Sequence, residues 1–134
     1  YVSCARGAFL DVIIDLRVGS PTFGAHDTVL IDDADRRAVY LSEGLGHAIC
    51  ALEDNSTVTY LCSTGYNPSA EHGINPLDPD LGIDWPTTGR DGTPLQYELS
   101  AKDTAAPGLF EARDAGLLPS YDEVTAYLRS LAES

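Results

Sequence analysis

The sequence has few basic residues and no long apolar run. Lys and Arg number 8 against 21 Asp and Glu, which gives a formal net charge of −13, and no basic cluster interrupts the acidic excess. A nucleic acid or an anionic membrane surface is therefore not an expected partner. No apolar run approaches the roughly 20 residues that a membrane-spanning helix needs, so we expect a cytoplasmic protein that does not enter a membrane.

Cysteine and histidine are also scarce. Cys4, Cys50 and Cys62 form an odd set without C-x-x-C spacing, a pattern that disfavours both a disulfide framework and a zinc site. The three histidines are scattered and no H-x-H occurs, whereas a metal site in a small β-barrel needs imidazoles close together. We therefore expect no metal.

Three common signatures of nucleotide and hydrolase chemistry are missing. The sequence contains no G-x-G-x-x-G, no P-loop and no G-x-S-x-G. Rossmann dinucleotide binding, Walker-type phosphate binding and nucleophile-elbow hydrolysis thus have no support.

Short apolar stretches typical of strands fill the first half of the chain. Residues 8–17 place Leu10, Val12, Ile14 and Leu16 on one face and acidic residues with Arg17 on the other, the alternation of a half-buried strand. Further stretches (TVLI, AVYL, GHAICAL and TVTYLC) are separated by Gly, Pro, Asn and Asp at intervals of about ten residues. This spacing predicts an antiparallel sandwich or barrel rather than alternating βαβ units.

The second half of the chain has a different residue composition. Residues 63–103 are rich in turn formers, and a long irregular segment in a compact domain is usually functional. Beyond them, Pro107 can open a helix, Gly116 can end it, and Ser120 can cap a second one. We expect a β core over 1–105 and a helical tail over 106–134.

His47 and Tyr60 are the two titratable rings of a predicted β-hairpin over 46–62. An even-length turn at 53–56 would place Ile49 opposite Tyr60, so that His47 and Tyr60 share one face of the sheet. An odd-length turn would place them on opposite faces. On the hairpin alone, packing is the commoner role for both rings.

Four stretches, in order, carry a resemblance to a known family. They are YVSCARGAFLDVIIDLRVGSPTFG, RRAVYLSEGLGHAICAL, TVTYLCSTGYNPSAEHGI and LDPDLGIDWP. Together they resemble the dTDP-4-dehydro-6-deoxyglucose 3,5-epimerase family, in particular the actinomycete branch that acts on the dTDP-sugars of antibiotic pathways. The resemblance implies a cupin jelly roll, a homodimer and a cofactor-free isomerase that epimerises a dTDP-4-keto-6-deoxy sugar at C3, C5 or both.

The resemblance also implies roles for residues of this chain. Tyr60, in TVTYLCS, matches the tyrosine that returns a proton to the sugar, and Asp103, in ELSAKD, matches the aspartate that orients the catalytic histidine. A phenol is protonated at neutral pH and can donate to an enolate. Four further residues match positions that bind the substrate, with Tyr66 stacking on the thymine ring: His47, Tyr66, Glu71 and Lys102.

The sequence departs from the family pattern at two places. The link between Trp85-Pro86 and Asp103 is several residues longer than usual. The family's histidine base would lie about ten residues before Tyr1, and its enolate-binding lysine immediately before Tyr1. Because the sequence opens without an initiator Met or a polar leader, we expect an N-terminal portion in the full protein.

Two other functions stay open at this stage. A cupin dTDP-sugar 3,4-ketoisomerase would use the same nucleotide and fold. A non-catalytic module that binds a thymidine nucleotide would not need the base.

Overall fold

The computed structural model describes residues 1–134 as a mainly β chain with short helices. Six strands and three α-helices follow one another along the chain: β1 (Val2–Arg6), β2 (Ala8–Asp15), β3 (His26–Asp32), β4 (Ala38–Val39), β5 (Leu45–Ala51), β6 (Thr57–Tyr60), α1 (Ala101–Ala105), α2 (Leu109–Asp114) and α3 (Tyr121–Ala132). The strands form two antiparallel three-stranded sheets, ordered β4-β1-β6 and β3-β2-β5. The predicted antiparallel β architecture with helices at its end is confirmed.

A bend at Gly7 divides the first long β segment between the two sheets. Gly7 adopts φ +85°, a conformation that glycine accepts without strain. A Cβ atom at this position would lie 2.5 Å from Ser56 Oγ and 2.8 Å from Ser56 Cα. The close approach of the Ser56 backbone therefore requires glycine here, and β1 and β2 pair with different partners on either side of it.

The prediction that β5 and β6 form a hairpin is wrong. β5 pairs with β2, with Ile13 opposite His47, whereas β6 pairs with β1, with Val2 opposite Tyr60. The connecting residues 52–56 cross from one sheet to the other, and Ser56 Oγ fixes the crossing by accepting a hydrogen bond from the Ala8 N–H at 3.2 Å. Turn length decides register only when the two strands pair with each other, and here each strand finds a partner elsewhere.

β2 is the central strand of its sheet, and it is buried on both faces because a hydrophobic cluster covers each of them. On one face Val12 and Ile14 pack with Leu81 and Leu109. On the other face Phe9 packs with residues of both sheets in a second cluster. The prediction of a half-buried strand with a polar outer face is therefore wrong.

The aspartates of β2 lie on that second, covered face. Asp11 is fully buried and Asp15 is 6% exposed. A charged group is buried in this way only when polar partners are at hand, and both aspartates have them. The alternation of residue types gave the strand correctly but not which of its faces would be covered.

The irregular segment after β6 forms an outer layer over the β3-β2-β5 sheet. A 3₁₀ turn over Pro79–Leu81 buries Leu81 against the sheet. Trp85 Nε1 donates a hydrogen bond to the Pro76 carbonyl at 2.9 Å, and the Leu109 N–H donates to Asp78 Oδ2 at 2.6 Å. These contacts hold the segment in place even though it has little regular secondary structure.

Asp15 organises the loop that receives the C-terminal helix. Its carboxylate accepts hydrogen bonds from Arg17 Nε at 2.8 Å, from Ser20 Oγ at 2.6 Å and from Thr22 Oγ1 at 2.6 Å. The bonds from Arg17, then those from Ser20 and Thr22, hold the pKa of Asp15 well below its ordinary value despite burial. The Arg17 guanidinium in turn lies 5.2 Å from the ring centroid of Tyr121.

Helix α3 begins where the sequence predicts. Ser120 is its N-cap, with Oγ accepting from the Glu123 N–H at 3.4 Å. Val18 N–H donates to the Pro119 carbonyl at 2.8 Å, and Tyr121 N–H donates to the Val18 carbonyl at 2.9 Å, so the helix start is joined to the loop after β2. None of the helices combines the length and the apolar character that crossing a membrane would require.

Candidate active site

A cleft of about 950 Å³ lies beside the edge strand β5. One wall is β5 itself, the second is the segment from His72 to Trp85, and the third is the segment from Leu95 to Asp103. Three of the six residues that the sequence singles out lie in its lining: His47, Lys102 and Asp103. A concave site of this size that holds several convergent polar groups is the usual place for a small ligand.

His47 is held by a carboxylate of the neighbouring strand. The β2–β5 register places Ile13 opposite His47 and Asp11 opposite Ile49, so Asp11 and His47 are diagonal neighbours on one face. His47 Nδ1 lies 3.1 Å from Asp11 Oδ1. Because Nδ1 is engaged by this carboxylate, Nε2 is the ring nitrogen left for a ligand.

The environment of Asp11 is unusual. The residue is fully buried, and its second oxygen, Oδ2, has no hydrogen-bond partner. Since a buried carboxylate is costly without compensation, the imidazole of His47 is its natural counterpart. Sequence reasoning missed Asp11 because it placed this residue on a solvent face. The available signal was an acidic residue inside an otherwise apolar strand.

Lys102 and Asp103 reach the cleft from helix α1. Ser100 is the N-cap of this helix: its Oγ accepts from the Asp103 N–H at 3.0 Å and donates to Asp103 Oδ2 at 2.8 Å. This reciprocal arrangement is a form of capping box. One oxygen of the Asp103 carboxylate is thus engaged in the cap, while the residue still lines the cleft.

The other three candidate residues lie outside the lining of the cleft. Tyr60 stands on β6, in the other sheet, and is 64% exposed. Tyr66 is 76% exposed in the following loop. Glu71 is exposed, and its Oε1 accepts a hydrogen bond from the Asn67 N–H at 3.3 Å. The structure therefore brings together His47, Lys102 and Asp103, with Asp11 behind them.

Fold and cleft together define a class of protein. Two antiparallel sheets with a ligand-sized cleft beside an edge strand, and polar side chains converging on it, are features of the double-sheet cupin enzymes. Within that class, the sequence model of the family described as dTDP-4-dehydrorhamnose 3,5-epimerase matches residues 1–111. The chain belongs to this family.

Individual relatives agree with the family match. A dTDP-4-dehydrorhamnose 3-epimerase of Streptomyces niveus is 59% identical over 121 residues, which are 90% of this chain and 55% of that protein. The solved structure of the Mycobacterium tuberculosis rmlC epimerase has a TM-score of 0.88 at 49% identity and covers 96% of this chain and 62% of its own.

A structure with a bound ligand is also similar. It is that of ChmJ, a 3'-monoepimerase from Streptomyces bikiniensis in complex with dTDP-quinovose, with a TM-score of 0.84 at 50% identity. The match covers 96% of this chain and 62% of that one. Our chain thus spans between 55% and 62% of the length of these three proteins.

Proposed function

We propose that the full-length protein epimerises a dTDP-4-keto-6-deoxyhexose at C3, at C5 or at both. The observation that carries the proposal is the convergence of His47, Lys102 and Asp103 on one cleft, in a chain that belongs to this epimerase family. The names of the relatives support the substrate class, since they are 3- and 3,5-epimerases of dTDP-sugars.

The reaction requires only proton transfers. A ketone at C4 acidifies the hydrogens on C3 and C5, a base removes one of them, and an enolate forms. An acid on the opposite face of the ring then returns the proton with inverted configuration. Each positioned acid or base typically contributes about 10² to 10⁴ in rate, and no redox or electrophilic cofactor takes part in these steps.

His47 and Lys102 are suited to bind the sugar and an anionic group of the substrate. We assign to His47 Nε2 a hydrogen bond with a hydroxyl group of the sugar, because Nδ1 is already engaged by Asp11. Lys102 is the only lysine or arginine in the lining of the cleft, so we assign to it an anionic group of the substrate.

The remaining roles follow the family resemblance. Tyr60 is the proposed acid, and Asp103 the residue that orients the histidine base that the resemblance places before Tyr1. Tyr66 would stack on the thymine ring, and Glu71 would bind the substrate. The high exposure of Tyr60 and Tyr66 leaves both rings free to meet a ligand.

Solvent exchange tests the reaction directly. The full-length protein, incubated in heavy water with dTDP-4-keto-6-deoxyglucose, should introduce deuterium at C3 or C5, read by NMR or mass spectrometry. Appearance of a 3-keto product would indicate the 3,4-ketoisomerase instead. Nucleotide binding without deuterium exchange and without a new product would indicate a non-catalytic binding module.

The proposed acid is tested by removing its hydroxyl. The Tyr60→Phe variant should bind dTDP as the wild type does and lose about 10²-fold or more in kcat. Because Tyr60 is exposed on β6, its stability should change little. Tyr40→Phe, which removes a hydroxyl from another exposed tyrosine, is the matched control. Wild-type turnover in the Tyr60→Phe variant would show that Tyr60 is not the acid.

A further inference from the structure

A small hairpin lies in the link between Trp85-Pro86 and Asp103, which the family resemblance predicts to be longer than usual. Thr88 and Pro94 form an antiparallel bridge. The Gly89 N–H donates to the Thr93 carbonyl and the Leu95 N–H to the Thr87 carbonyl, both at 2.8 Å. The additional residues thus form an ordered β-turn structure over 87–95, which we call the 87–95 hairpin.

Arg90 joins this hairpin to the crossing between the two sheets. Its N–H donates to the Leu52 carbonyl at 2.8 Å. Its guanidinium contacts Asp33 Oδ1 at 3.0 Å and Glu53 Oε2 at 3.5 Å. Asp33 also accepts a hydrogen bond from the Gly7 N–H at 2.8 Å, so one side chain ties the hairpin to the bend of the central β segment.

Gly89 lets the hairpin lie close to Leu52 because glycine has no Cβ atom. A Cβ atom at this position would lie 2.5 Å from the Leu52 carbonyl oxygen, which is closer than real Cβ contacts come. The hairpin is therefore seated on Leu52 by a close backbone approach, and that approach is independent of charge.

The wall of the cleft that follows the hairpin has little support of its own. The main-chain N–H groups of residues 96–99 donate no hydrogen bond, and Gln96, Tyr97 and Glu98 are exposed. The Tyr97 hydroxyl donates to the Pro86 carbonyl at 2.6 Å. Otherwise this stretch is held at its ends, by the Leu95 N–H in the hairpin and by the Ser100 cap of α1.

We propose that Arg90 is a positioning residue that fixes Lys102 and Asp103 in the cleft through the 87–95 hairpin and the 95–99 wall. The proposal rests on the proposed function for its catalytic consequence, but its structural part stands by itself. The main chain and the guanidinium of Arg90 hold the hairpin at one point. From there the chain leads, without another main-chain anchor after Leu95, to the helix that carries both residues.

A purely electrostatic role predicts a different result. Glu53 lines the cleft, and Arg90 partly neutralises it, so loss of the arginine charge alone would weaken the binding of an anionic ligand. That effect would appear in KM, would decrease at high salt, and would be absent when the charge is kept.

Three variants of the full-length protein separate the two roles. Arg90→Gln removes the charge and the ion pairs, Arg90→Lys keeps the charge but not the two-pronged guanidinium geometry, and Gly89→Ala disturbs the seat on Leu52 without changing any charge. The matched control is Arg37→Gln, which removes an exposed arginine that pairs with Asp35 at 3.3 Å. Hydrogen exchange of backbone amides and steady-state kinetics are measured for each.

Positioning predicts that exchange at the Leu95 and Thr104 amides rises about tenfold in Arg90→Gln and in Gly89→Ala, while the β2 amides keep wild-type rates. It also predicts that kcat falls about three- to tenfold in both variants and falls less in Arg90→Lys. The control variant should have the kcat of the wild type.

Other outcomes overturn the proposal. Wild-type exchange at Thr104 in both variants, or a uniform rise that includes β2, would show that α1 does not depend on the hairpin. An effect on KM confined to Arg90→Gln and abolished by salt would leave only the electrostatic role. If the wild-type protein does not turn over the sugar, the proposed function fails, and the exchange at Thr104 still decides the positioning.

Discussion

At the scale of single residues, the central observation is the pair formed by His47 and Asp11. An imidazole on an edge strand commonly has a packing role, and the sequence alone does not distinguish that role from a chemical one. The contact with a fully buried carboxylate does, because it ties the Nδ1 side of the ring to β2. The pair therefore fixes the position of His47 on β5 and leaves Nε2 as the ring nitrogen for a ligand.

Replacing Asp11 by Asn should impair catalysis more than stability. The amide keeps the shape of the carboxylate but changes the hydrogen-bonding partner of His47 Nδ1, so kcat of the full-length protein should fall about tenfold or more. The free energy of unfolding should change by only about 1 kcal/mol, since the buried charge with an unpartnered oxygen disappears as well.

Asp27→Asn provides the control for this substitution. Asp27 lies on the adjacent strand β3, opposite Ile13, and is exposed. Its variant should retain wild-type kcat and thermal stability. A kcat in Asp11→Asn equal to that of the control would mean that His47 does not depend on Asp11 for its function.

The candidate site was only partly predictable from residue types. The family resemblance pointed to His47, Lys102 and Asp103, and the structure places all three in the cleft. It could not point to Asp11 without the β2–β5 register, because which residues are diagonal neighbours depends on a pairing between strands far apart in sequence.

At the scale of secondary structure elements, strand identity was predictable and strand pairing was not. Local alternation and turn residues located the segments of β2, β5 and β6, because both signals are contained in a few consecutive residues. The choice between a hairpin and a crossing depends on whether better partners exist elsewhere. Here β1 and β2 supply them, and the Gly7 bend separates the two pairings.

The stability of the folded chain should depend on pH through Asp15 and the loop that follows it. Because the folded-state pKa of Asp15 is lowered by Arg17, Ser20 and Thr22, its carboxylate contributes stability that is fully present above the unfolded pKa, near 4. That contribution is lost as the pH falls from there toward the folded-state value.

Denaturation in urea at several pH values measures the effect. Asp15→Asn should be less stable than the wild type by about 2–3 kcal/mol at pH 6 to 7, and the difference should shrink below about pH 4. Asp35→Asn, which removes an exposed partner of Arg37, should show no such difference. A gap between wild type and Asp15→Asn that stays constant down to pH 3 would contradict the assignment.

At the scale of the whole molecule, strand edges and large apolar side chains lie exposed on this chain. β5 and β6 each end a sheet, and large apolar side chains, including Ile49, Leu61 and Tyr60, are exposed. An edge strand offers unpaired backbone groups to another chain. These features support the homodimer that the family resemblance implies.

Sedimentation measures this directly. The full-length protein should sediment at twice its chain mass at micromolar concentration. The apparent mass should fall only when dilution brings the concentration near the dissociation constant of the dimer. A net charge of −13 on each copy of this chain opposes association at low ionic strength, so the dimer should strengthen when salt is added. A monomer at all concentrations would contradict the homodimer that the family resemblance implies.

The crossing between the sheets also has a consequence for how the chain folds. β2 meets β3 across a short connection, but β1 pairs with β6, and Ser3 lies opposite Thr59. On a ribosome, Val2–Arg6 can complete its sheet only after Thr57–Tyr60 has emerged, whereas the β2–β3 pair can form earlier. Such long-range pairing slows folding.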